Sequence, residues 1–473
     1  MKLSLATISL LSVATILAGY SSDSLAQQPV LAQETVPMPE AVEEVPLPVE
    51  FYNRGIDRFN AAEYEQAIAE FDQAISGQPD YAEAYMYRGA SYKALGNLNA
   101  AVSDFNQAID INPDLARAYV LRAEVYYELG NAQQALQDAR VALDLDPTLG
   151  DARLYQGIVA LDEGDSAGAI VDFTATIEQN PTQEAAYLLR GFAYDQEERY
   201  PEAIADFTYV IDQPGDNAIA FIGRGAAYYH EGKLDEAESD LDSALRVSDE
   251  LPYAYYNRSF VYAAQSRPNR AIADLDRTID LQPNFVRAYL NRGLLQASQG
   301  NTQAALLDLS EALALDPNLM EAYKARADIQ LALGREDEAI ADYSGAIQQL
   351  SGNAELYKLR GDAYMADNNA AAALADYNEA ISLMPDYAEA YAARGQVYAE
   401  TGDIQRAYDD LTLVISLEEE AVDPDVLYTR GLTRKRLGDI AGARADLQAA
   451  ANRYLETGEA ENYRITLVQL QQL

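Results

Sequence analysis

Between Ala82 and Leu115 the apolar residues fall into two groups, and the chain repeats this arrangement every 34 residues. With Ala82 as position 1, Tyr85, Gly89 and Tyr92 at positions 4, 8 and 11 form one large–small–large face. Ala101, Phe105 and Ala108 at positions 20, 24 and 27 form a second. Spacings of three and four place each set on one side of an α-helix. Gly96-Asn97 breaks the first helix, and Pro113 at position 32 stops the second. One unit is therefore helix A, turn, helix B, turn. In that register, units begin at 48, 82, 116, 150, 184, 218, 252, 286, 320, 354 and 388. Two extra residues, Val422 and Asp423, precede a twelfth at 424.

Position 8 is small throughout, as in Gly55, Gly157, Ser259 and Ala327, and position 20 is alanine from Ala67 to Ala443. Small groups here let helices A and B approach closely, while aromatics at 4, 11 and 24 fill the space around them. The period and the Gly/Tyr/Ala/Phe/Pro pattern together resemble the tetratricopeptide repeat. That resemblance implies an all-α fold, a right-handed superhelical α-solenoid of about twelve helix-turn-helix repeats over residues 48–457. A final repeat leaves an apolar face bare, and residues 458–473 read as a capping helix for it. The acidic run at Glu418, Glu419 and Glu420 and the two-residue insertion mark the expected weak joint.

One position departs from the family pattern. Position 7, usually apolar, is arginine in every repeat but the fourth, where it is Gln156. Position 23 is an acid throughout, Glu70 followed by eleven aspartates. Both positions lie on packing faces, where a lone charge is costly and a paired one is tolerated. The spacing predicts an internal ladder of guanidinium–carboxylate pairs, among them Arg88–Asp104, Arg190–Asp206 and Arg292–Asp308. A catalytic or anion-binding use of these arginines is the sharper reading, and pairing is the better one. In the fourth repeat Arg153, one turn before Gln156, is placed to reach Asp172 instead.

Upstream of the repeats the pattern changes. Residues 1–26 read as a secretory signal, with Lys2 at the start, an apolar run from Leu3 to Ala18, and Ser24-Leu25-Ala26 as a cleavage site. Ile16-Leu17-Ala18-Gly19-Tyr20 resembles a bacterial lipobox, but Tyr20 stands where the lipidated cysteine must be, so lipid anchoring is not expected. Residues 27–47, rich in proline and glutamate, read as a disordered linker. The expected location is the periplasm or cell envelope of a bacterium, with no membrane span in the mature chain.

Charge narrows the partners. A net charge of −42 over 473 residues disfavours nucleic acid and anionic lipid, and serves solubility of a long array. Chemistry is scarce. There is no cysteine and one histidine, His230, so thiolate sites, His-paired nucleophiles and multi-histidine metal sites are excluded. No phosphate loop, dinucleotide fingerprint or calcium loop appears, and no cofactor site is suggested. The chain reads as a non-enzyme.

The family resemblance places helix-A positions 2, 5, 9, 12 and 13 on a concave groove. In repeats four to eight these include Leu154, Ile158, Leu161, Leu188, Phe192, Ile219, Ile222, Tyr229, Tyr253, Tyr256, Phe260, Leu290 and Leu294. In repeats nine to eleven they turn polar, with Glu321, Lys324, Asp328, Glu355, Lys358, Asp362, Glu389 and Gln396. An exposed apolar run of that length marks a binding surface, whereas tight curvature would bury it against the next helix A. No three consecutive repeats supply the lysine, asparagine and arginine set with which some family members grip a C-terminal carboxylate. The expected function is a protein–protein interaction scaffold holding a partner polypeptide in the groove. Rival readings are a glycan-binding or polysaccharide-assembly factor using Tyr229, Tyr253 and Tyr256, and a self-associating structural protein. Nothing in the residues sets the oligomeric state.

Overall fold

The computed structural model describes residues 47–418 and 422–473. The expected signal segment and all of the linker but Leu47 lie outside the described residues. Among the described residues there are 25 helices and no strand. They divide into two compact units, one ending at Leu281 and the other beginning at Gln282.

The N-terminal unit contains seven helix pairs: α1 (Pro48–Asn60) and α2 (Tyr64–Gly77), α3 (Ala82–Ala94) and α4 (Leu98–Ile111), α5 (Ala116–Glu128) and α6 (Ala132–Leu145), α7 (Gly150–Asp162) and α8 (Ser166–Gln179), α9 (Glu184–Gln196) and α10 (Tyr200–Ile211), α11 (Ala218–His230) and α12 (Leu234–Val247), α13 (Pro252–Ala264) and α14 (Pro268–Leu281). The C-terminal unit continues with α15 (Val286–Ser298) and α16 (Thr302–Leu315), α17 (Met320–Ala332) and α18 (Glu336–Gln349), α19 (Ala354–Ala366) and α20 (Ala370–Leu383), α21 (Ala388–Thr401) and α22 (Ile404–Glu418), α23 (Pro424–Leu437) and α24 (Ile440–Thr457). A last helix, α25 (Ala460–Gln471), follows; its Thr466 is buried while Ile465 and Val468 stay exposed.

Each A helix packs on its own B helix through the small residues. The alanines at position 20, from Ala67 to Ala443, are all 0% exposed. A methyl group added at Gly157 would meet Phe173 Cε1 at 2.7 Å, so glycine is needed for the close approach. The A–B turn requires a left-handed residue, met by Gly232 at φ +75° in the sixth repeat, while Ser266 adopts φ +59° in the seventh. Asp165 caps α8, its side chain accepting from the Gly168 amide at 2.9 Å. Pro268 opens α14, where its missing N–H is no loss.

Candidate functional site

In the second, third and fifth to twelfth repeats the arginine at position 7 points from helix A towards helix B and forms a bidentate pair with the position-23 aspartate, whereas Arg54 makes a single bond to Glu70 at 2.9 Å. Arg88 binds Asp104 at 2.7 and 2.8 Å, Arg190 binds Asp206 at 2.7 and 2.8 Å, and Arg292 binds Asp308 at 2.6 and 2.9 Å. The aspartates are 5–8% exposed from Asp104 to Asp446. Tyrosines one turn away flank the guanidinium, those of Tyr187 and Tyr194 lying 5.5 and 5.6 Å from Arg190. Burial pushes the Asp206 carboxyl up more than Arg190 pulls it down, and burial opposes the Arg190 charge too, although the bond to Asp206 leaves that group raised. These charges are occupied, which leaves them unavailable as an anion site.

A second bond was not anticipated from the sequence. The remaining guanidinium nitrogen reaches position 25 of the preceding repeat: Arg122 to Asn106 at 2.6 Å, Arg224 to Thr208 at 3.0 Å, Arg326 to Ser310 at 2.8 Å, Arg394 to Asn378 at 2.6 Å. Each of these arginines thus staples its own hairpin and the one before it. The fourth repeat differs from expectation. Burial raises the Asp172 carboxyl, opposed first by a hydrogen bond from Gln156 and then by the fields of Arg153 and Arg140. Arg153 Nε is buried with no hydrogen-bond partner among the described residues. Arg140 occupies position 25 of the third repeat, so the cation has moved to the other side of the joint.

The expected apolar groove is largely closed. Leu154, Ile158, Leu188, Phe192, Ile222, Tyr256, Phe260, Leu290 and Leu294 are 0–9% exposed. Leu154, Ile158, Leu188, Phe192 and Ile222 belong to one continuous core with Phe173 and Phe207. Tyr256 and Phe260 lie edge-on at 5.0 Å, and Phe260 receives Tyr229 at 6.2 Å. The physical reason is the short distance between consecutive A helices, which leaves no room for solvent between large side chains. Ile219, Tyr229 and Tyr253 remain half-buried, and they form the part of the expected set that solvent reaches. His230 stacks on Tyr200 with ring centroids 4.9 Å apart, and burial lowers its pKa.

Where the A-helix positions carry smaller or more polar groups, the wall opens. In the C-terminal unit a cleft of about 340 Å³ lies between α21 and α23. It is lined by Gln396, Ala399, Glu400, Asp425, Tyr428, Thr429, Leu432, Thr433 and Arg436. Arg436 donates to the Ala399 carbonyl at 3.0 Å across it. This is the joint with the two inserted residues. Here Arg430 binds Asp446 at 2.7 and 2.8 Å, while Thr412 Oγ1, at position 25 of the preceding repeat, is buried with no hydrogen-bond partner among the described residues. The insertion has broken the staple. A second cavity, about 360 Å³, lies along α6 beside Gln133, Leu136, Gln137 and Arg140. No group of three or more potential metal-binding side chains occurs among the described residues.

Family models described as tetratricopeptide repeat match residues 259–330, 154–213 with 190–254, and 388–420, and one described as TPR repeat matches 89–137 and 361–402. The matches jointly cover more than half of the sequence. The chain belongs to the tetratricopeptide repeat family. Comparison with curated proteins gives no match. Several solved structures are similar to the chain. A tetratricopeptide repeat protein from Parabacteroides merdae is 21% identical, covering 53% of this chain and 98% of its own, with a TM-score of 0.41. Yeast Tom70 is 16% identical, covering 90% and 96%, with a TM-score of 0.39. YrrB, described as a TPR protein with an unusual peptide-binding site, is 23% identical, covering 39% and 95%, with a TM-score of 0.34. These similarities concern the fold of the tetratricopeptide repeats alone. Among the described residues no helix is long and apolar enough to cross a membrane.

Proposed function

We propose that this tetratricopeptide repeat protein is a non-enzymatic scaffold of the bacterial cell envelope that docks a partner polypeptide on the helix-A face of its repeats. The observation carrying this reading is the pairing of a sealed apolar floor with half-exposed groups above it. Leu188, Ile222, Tyr256 and Phe260 are 0–2% exposed and packed in place, which holds Ile219, Tyr229 and Tyr253 at the surface. A surface held this way loses little conformational freedom on binding. Export rests on Lys2, the apolar run to Ala18 and the small residues at Ser24 and Ala26.

The test is photo-crosslinking from position 253 in cells, with the chain carrying its own N-terminal segment, alongside cell fractionation. The expected result is a discrete protein adduct in the envelope fraction that disappears with Ile219→Asp and Tyr229→Asp. No protein adduct from an exported, helical chain would remove this reading. Two of the three half-buried groups on the wall are tyrosines, which favours glycan stacking as the second reading. Oligosaccharide binding lost on Tyr229→Ala and Tyr253→Ala would then support it.

A further inference from the structure

Position 12 of helix A faces the next helix A, and in the N-terminal unit its occupants have partners there. Lys93 pairs with Glu124. The Tyr127 hydroxyl donates to Asp162 at 2.6 Å. Tyr229 sets its ring edge-on to Phe260. Asp195, in the fifth repeat, is different. It is 8% exposed, and its Oδ1 is buried with no hydrogen-bond partner among the described residues. A carboxylate is ordinarily kept in such a place only when something pairs with it.

The fold places Tyr200 near this carboxylate. Tyr200 begins α10, directly after the turn that follows Asp195, and Asp195 is close enough to add to the effects of burial and Glu198 in pushing the Tyr200 hydroxyl up. The Tyr200 ring is stacked on His230 at 4.9 Å and 10°. Tyr229 then meets His230 edge-on at 5.7 Å. An unpaired carboxylate near a tyrosine that is itself stacked on a histidine is a donor set for a cation on an apolar stem. The carboxylate pairs with an ammonium or guanidinium group, and the ring faces receive the methylenes or the guanidinium plane. A chain with net charge −42 also draws cationic segments towards it. An anion would leave the carboxylate buried and unpaired.

We infer that Asp195, with Tyr200 and His230, receives a lysine or arginine side chain of the polypeptide docked on the helix-A face. This rests on the polypeptide reading above and adds the chemistry of one residue of the partner.

The test is selection of a random dodecapeptide library on the full chain, in about 0.15 M salt so that exposed charges more than about 8 Å apart are screened. Wild type is compared with Asp195→Asn, which keeps the side-chain volume and removes a buried charge; circular dichroism checks that the variant is folded. Wild type is expected to enrich peptides with lysine or arginine at one fixed position, and Asp195→Asn to lose that preference. Replacing that residue by norleucine in a synthetic winner should weaken binding to wild type about tenfold or more, as for loss of a charge-assisted hydrogen bond, and leave binding to Asp195→Asn nearly unchanged. Winners lacking a basic residue, or a basic preference that survives Asp195→Asn, would overturn the inference and leave groove docking intact. A library that yields no winners on the folded wild-type chain would overturn polypeptide docking and this inference together.

Discussion

Consider Arg190→Met. The substitution removes two bonds to Asp206, of 2.7 and 2.8 Å, and one of 3.1 Å to Thr174 of the preceding repeat. Asp206 has 8% side-chain exposure, so water cannot replace the lost partner. Breaking one half of such a pair costs about 3–5 kcal/mol, since a charge is left buried. The double variant Arg190→Met, Asp206→Leu removes both charges and fills the space with apolar volume, and such replacements are often neutral or stabilising. The expected double-mutant coupling is therefore about 3 kcal/mol or more. A pH dependence follows from Asp206, whose carboxyl burial raises even when Arg190 is present. A folded pKa above the unfolded one means that ionisation destabilises the fold, so the defect of Arg190→Met should shrink as pH falls and Asp206 protonates. Long repeat arrays unfold in parts, so the measurement is native-state hydrogen exchange of amides in α9 and α10 on the full chain. If the double variant loses as much as the two single variants added together, the ladder is not a coupled device and the reasoning fails.

Three further outcomes are expected. Ala271 is 0% exposed on the face that meets helix A, so Ala271→Leu should overpack its hairpin and destabilise by about 1–3 kcal/mol, read as a lowered melting temperature; a melt matching the parent would contradict the packing. Thr208 Oγ1 accepts from Arg224 at 3.0 Å, whereas Thr412 Oγ1 has no partner among the described residues, so Thr208→Val should cost about 1.5–3 kcal/mol and Thr412→Val should be neutral or stabilising. Equal losses in urea unfolding would show that the staple at position 25 carries no energy. Burial pushes the Asp195 carboxyl from 3.8 to about 7, equivalent to about 4 kcal/mol against the ionised form. Because the folded value lies above the unfolded one, that penalty is absent below pH 3.8, grows up to about pH 7 and is constant above. Asp195→Asn should accordingly gain stability over wild type as pH rises through this window, and a difference independent of pH would refute the assignment.

The helices, their pairing and the arginine–aspartate register were legible because each depends on residues within one hairpin, at fixed spacing. Position 25 was not. Its occupants, among them Asp72, Asn106, Thr174, Thr208, Ser310 and Asn378, share only an acceptor oxygen, and along the sequence they look like a solvated face. One signal was present. Gln156 breaks the arginine series directly after Arg140 breaks the acceptor series, so the two positions vary together across one joint. The unpartnered Thr412 had a signal too, since Val422 and Asp423 shift Arg430 out of the 16-residue spacing that all the stapled pairs keep. Exposure of the groove residues was not legible, because burial of Phe192 or Phe260 depends on how far the next A helix stands, and no residue within the repeat states that distance.

That distance is what the double staple controls. Arg224 is tied at once to Asp240 within its hairpin and to Thr208 in the hairpin before, so neighbouring hairpins are held at one spacing. With the spacing held, the residues at positions 5, 9 and 12 decide whether the wall between two A helices is closed. Large ones such as Leu188, Phe192 and Ile222 fill it. At the last joint the staple is missing, positions 9 and 12 are Gln396 and Ala399, and a cleft of about 340 Å³ remains. The charged ladder is then more than a tolerated burden on stability. It turns the side-chain sizes along helix A into a pattern of closed and open wall, and a partner would meet that pattern as a surface already formed.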